Sequence, residues 1–74
     1  MSPEEFVDWC ISVFGGSYSW QMRMGIILML SLRTRDWIAR FKTLVLKSYP
    51  TLYDTPPSLF DLQRIEWYPK EKTV

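Results

Sequence analysis

The chain contains no histidine and a single cysteine, Cys10. One thiol cannot close an intramolecular disulfide, so the fold does not depend on an oxidising compartment. An intracellular setting, cytoplasmic or nuclear, is the expectation. Without histidine the usual zinc sites cannot be assembled, and neither a metal nor another cofactor is expected. Acid–base chemistry is left to carboxylates, lysines, tyrosines and Cys10. The carboxylates fall at expected helix N-termini or in the polar C-terminal stretch. Cys10 sits on an apolar helical face with no histidine to activate it. With no nucleophile–base pair, the chain is expected not to be an enzyme.

Three further scarcities narrow the field. Glycine occurs three times, and Gly15-Gly16 does not have the spacing of a phosphate-binding loop. Charge of one sign is not in large excess. Nine Lys and Arg face eight Asp and Glu, a net charge of +1, whereas a dedicated nucleic-acid binder usually carries more. The greasiest run, Met24 to Leu32, lasts nine residues, against the roughly 20 that a membrane-spanning helix needs. No transmembrane segment is expected, nor a signal peptide, because Glu4, Glu5 and Asp8 occupy the place of a basic n-region.

What the chain does have is core material. Its 74 residues suffice for one domain, and 47% are hydrophobic and 16% aromatic, with four each of Trp, Tyr and Phe. Such a composition excludes intrinsic disorder over most of the length. It also supplies more apolar surface than one small monomer easily hides, which points to a partner or to self-association.

The punctuation predicts an all-α bundle of three main helices, about 3–14, 18–32 and 35–48, plus a short C-terminal helix at about 56–66. "SPEE" reads as Ser2 N-cap, Pro3 in the first turn and Glu5 closing a capping box. Phe6, Cys10, Val13 and Phe14 then share a face, and Gly15-Gly16 ends the helix. Ser17 or Ser19 can cap the second helix. From Trp20 to Leu32 that helix is apolar on nearly every side, the mark of a central helix surrounded by neighbours. Thr34 and Asp36 favour a break and a new cap over one long bent helix. In the third helix Trp37, Ile38, Phe41, Leu44 and Val45 line one side. Pro50 ends it, Pro56-Pro57 stiffens the following loop, and Thr55 or Ser58 can cap the last helix. The bundle is read as one domain over 1–68, with 69–74 as a polar tail.

Two stretches carry a potential chemistry of recognition. Arg33, Arg35, Arg40, Lys42 and Lys47 form a basic cluster with a single acid, Asp36, among them. They could lie along phosphates, and a nucleic-acid-binding domain is the alternative functional reading. Their split over two flanks of the helix fits a solvated face better than one docking stripe. The same cluster is small by polybasic standards, so peripheral membrane contact is not expected.

The second stretch is "YPTL", Tyr49 to Leu52. It resembles the tyrosine-proline-x-leucine motif by which viral structural proteins recruit budding machinery, and also the tyrosine-x-x-hydrophobic sorting signal. The resemblance covers four residues and implies no family. It extends the reading to a viral structural or regulatory protein, with Tyr49 and Leu52 as contact residues in an accessible loop.

The expected function is a non-enzymatic protein–protein interaction or assembly domain that binds itself or another protein. Trp20, at the start of the second helix, and Trp67-Tyr68, after the last, are the aromatics expected at its surface. Tryptophan and tyrosine are the residue types that dominate interface hot spots.

Overall fold

The computed structural model describes residues 1–49 and 54–67. Four helices follow in order: α1 (Pro3–Phe14), α2 (Trp20–Leu30), α3 (Arg35–Ser48) and α4 (Leu59–Trp67). The all-α bundle of three main helices and a short fourth is therefore the observed architecture. The expected polar tail, 69–74, lies outside the described residues.

Each helix begins where a side chain can take up an otherwise unsatisfied backbone N–H. At α1, the Ser2 hydroxyl accepts from the Glu5 N–H at 3.1 Å and the Glu5 carboxylate accepts from the Ser2 N–H at 2.8 Å. That second bond, to the charged form, holds the Glu5 carboxyl below its ordinary pKa. Ser19 caps α2 through the Met22 N–H, and Thr34 caps α3 through the Trp37 N–H, both at 3.1 Å. The break between α2 and α3 thus falls at Thr34, as expected. At α4, the Ser58 hydroxyl accepts from the Asp61 N–H and the Asp61 carboxylate accepts from the Ser58 N–H, both at 3.1 Å. This cap starts α4 at Leu59, three residues later than the sequence pattern suggests, because Pro56 and Pro57 stay outside the helix.

The helices pack as a ring in the order α1, α2, α4, α3 and back to α1. They enclose one core. α1 contributes Phe6, Val7, Cys10 and Phe14, α2 Ile26 and Leu30, α3 Ile38, Phe41 and Val45, and α4 Leu62 and Ile65. Aromatic rings join α1 to α3, with Phe6 stacked on Phe41 at 5.7 Å between centroids, and Phe41 in turn stacks on Trp37 of the same helix at 4.8 Å. No charged side chain is buried among the described residues. Each fully buried aliphatic or aromatic side chain contributes about 1.5–3 kcal/mol relative to exposure.

The two loops meet behind this core. Gly15 closes α1 with its N–H on the Ile11 carbonyl at 2.9 Å and φ of 85°. Gly16 has a φ of 74°, and a Cβ there would stand 3.0 Å from Pro56 Cδ and 3.2 Å from the Asp54 carbonyl oxygen. The second glycine is therefore needed for a close backbone crossing as well as for a turn. Beside it the Tyr18 hydroxyl donates to the Pro57 carbonyl at 2.6 Å.

One expectation is corrected here. α2 is not a central helix surrounded by neighbours, since only Ile26 and Leu30 along it are buried. Four short helices offer α2 just two flanking partners, α1 and α4, and the side of α2 that points away from the core is left uncovered.

Candidate interaction face

α2 and α4 lie side by side and run in the same direction. Near the start of both, the Leu59 N–H points at Met22 Sδ across 3.1 Å, and Gly25 sits 3.1 Å, measured from an ideal Cβ, from Leu59 Cδ2. Just past the C-terminus of α2, Arg33 pairs with Glu66 near the end of α4. Glycine at position 25 suits this approach, because a Cβ there would require the Leu59 methyl to give by a few tenths of an ångström.

Helical geometry then decides what faces outward. Along α4, Leu62 and Ile65 turn to the core, which puts Phe60 and Trp67, seven residues apart, on the opposite side. Along α2, Ile26 and Leu30 turn inward, which puts Leu28 outward, with Leu32 following in the turn. Because the two helices are parallel neighbours on one edge of the ring, Leu28, Phe60 and Trp67 open to the same side of the molecule. Exposure is high: Leu28 63%, Leu32 87%, Phe60 69% and Trp67 63%, with Trp20 at 71% on the far flank of α2.

The charges around this face are already matched within the chain. Arg23 pairs with Asp8 at 3.2 Å on the α1 side, and Arg64 pairs with Asp61 at 3.2 Å within α4. Arg64 also lies over the Phe60 ring, 5.6 Å from its centroid.

The basic cluster is dispersed. Arg33 is held by Glu66 and lies 4.4 Å from the centroid of the Trp37 ring, so it belongs to the junction of α3 and α4. Lys42 lies 5.7 Å over Trp9 and so faces α1. Arg35 is on that flank as well, where its charge acts on Glu5. Arg40 lines an open groove of about 380 Å³ with Trp37, Phe41, Leu44 and Glu66, on the flank toward α4. Lys47 is exposed in the last turn of α3. The five cations thus lie on two sides of α3, and no single surface collects them.

Of the other residues singled out from the sequence, Trp20 and Trp67 are exposed, as expected. Tyr49 is half-buried. Its ring edge meets Phe14 at 5.1 Å and its hydroxyl donates to the Thr55 carbonyl at 3.3 Å, so it fastens the end of α3 to the following loop. Leu52 and Tyr68 lie outside the described residues. Cys10 is fully buried, and burial pushes its thiol up to about 12, against the weaker opposing effect of the Tyr18 hydroxyl beside it.

Sequence reasoning missed Leu28, Leu32 and Phe60. Phe60 had a usable signal, because its spacing from Trp67 places both off the Leu59–Leu62–Ile65 stripe. Leu28 had none: an all-apolar helix does not declare which side it buries. Among the described residues no helix is long and apolar enough to cross a membrane, and no three potential metal ligands cluster. Neither a family model, nor a curated protein, nor a solved structure matches this chain.

Proposed function

We propose that the protein is a non-catalytic helical interaction domain working inside the cell, and that it binds protein through the outward face of α2 and α4. The observation that carries this reading is the exposure of Leu28, Phe60 and Trp67 on the outward sides of two adjacent helices, with Leu32 exposed in the turn after α2. Isolated apolar side chains on a surface need no explanation, whereas several large ones on one face mark an interaction site. The aromatic pair supplies the side-chain type that most often anchors interfaces. The one thiol, buried and held protonated near neutral pH, is poorly suited to act as a nucleophile.

Nucleic-acid binding through Arg33, Arg35, Arg40, Lys42 and Lys47 is the weaker reading. Arg33 and Lys42 already stack on aromatic rings of the same chain, and the five are split between two flanks. A photo-crosslinking residue placed at Leu28 in one variant and at Lys47 in another separates the two in cells of the source organism. Protein adducts from position 28 and none from position 47 are expected. Nuclease-sensitive adducts from position 47, with nothing captured at 28, would reverse the choice.

A further inference from the structure

We infer that the occupant of the α2/α4 face is a second copy of this chain, packed on the same face about a twofold axis. This rests on the reading of that face as a protein-binding surface and names its partner. Two observations carry it.

The first is area. Leu28, Leu32, Phe60 and Trp67 are each roughly two-thirds exposed or more. At the 150–250 Å² typical of a large side chain they present on the order of 500 Å² of apolar surface. A stable interface of standard size takes about 800 Å² from each partner, of which somewhat more than half is apolar. The face therefore holds the apolar share of one such interface.

The second is charge. A twofold contact sets a surface against itself, so any unmatched charge on it meets its own like. The outward side of α2 carries Trp20, Gln21, Met24, Leu28 and Ser31 and no charged residue. The cations at its edges, Arg23, Arg33 and Arg64, each have a carboxylate of the same chain as partner. Two copies can meet there without like-charge repulsion. A strongly acidic or basic partner would find no counter-charge to favour it, and an anionic lipid surface would find its cations already paired.

Sedimentation of the full chain from about 0.01 to 100 μM tests this, since interfaces of standard size differ widely in affinity, and a dimer that persists to the lowest concentration supports the inference equally. A concentration-dependent dimer is expected, with emission from Trp20 and Trp67 moving to shorter wavelength as it forms. Leu28→Glu and Trp67→Glu should each weaken the dimer by tenfold or more, at unchanged helical circular dichroism. Arg40→Glu, on α3, should leave it intact. A monomer throughout the range overturns the inference, as does a dimer indifferent to both face variants. A monomer that binds phosphatidylcholine vesicles through Trp67 also overturns it and assigns the face to lipid. If the chain stays monomeric while position 28 captures a different protein, the second copy fails and the protein-binding reading stands.

Discussion

α2 and α3 have similar inner sides and opposite outer ones. Each buries a short aliphatic or aromatic stripe, Ile26 and Leu30 in one, Ile38, Phe41 and Val45 in the other. On α3 the far side carries Asp36, Arg40, Thr43 and Lys47, which water solvates at no cost. On α2 it carries Leu28 and Trp20, which water does not. Apart from the half-exposed Leu46, the outer side of α3 is solvated by polar groups, whereas α2 leaves Leu28 and Trp20 to water. The contrast is one of degree: α3 exposes one large aliphatic side chain, Leu46 at 48%, whereas α2 exposes Trp20 at 71% and Leu28 at 63%.

The comparison is broken most directly on α2 itself. Leu30→Ala should lower stability by about 2–5 kcal/mol, because the methyl groups removed leave a cavity in a closed core. Leu28→Ala, two residues earlier, should change monomer stability by no more than about 0.5 kcal/mol. Urea denaturation followed by circular dichroism measures both. A loss above about 2 kcal/mol at Leu28 under dilute, monomeric conditions would place it in the core and remove the face.

A smaller effect probes how the two helices are separated. Thr34→Ala should cost about 1 kcal/mol, as the Trp37 N–H loses its acceptor at the α3 N-terminus. Thr34→Ser should recover most of it. An unchanged denaturation midpoint for Thr34→Ala would mean that α2 and α3 do not need this cap to part.

The smallest effects belong to the outer side of α3. Arg40→Ala and Lys47→Ala should each shift stability by less than about 0.5 kcal/mol, since surface charges contribute little. Guanidinium-free denaturant is required, because salt would mask differences of this size.

Much of this architecture was legible before folding was considered. Ser2, Glu5, Gly15, Thr34 and the prolines set helix limits by local chemistry, and local chemistry is what a sequence displays. The limits of α1 and α3 agree with the pattern, while α2 is shorter by two residues at each end, with Ser19 as its cap. The amphipathic stripe of α3 likewise pointed to its core side. The candidate face was only half legible. Trp20 and Trp67 stood out as aromatics at helix ends, whereas Leu28 and Leu32 were indistinguishable from their buried neighbours.

The sequence by itself determined the helical class, the caps at Ser2 and Thr34, the inner stripe of α3, and that neither an intramolecular disulfide nor a histidine-based site can form. Those follow from residue type and spacing within one turn or two. Tertiary structure alone decided which side of α2 is inside, that Leu59 of α4 packs beside Gly25, and that Arg33 and Lys42 are taken up by rings of their own chain. The reason is physical: burial is a relation between elements, and a helix apolar all round holds no record of where its neighbours will stand.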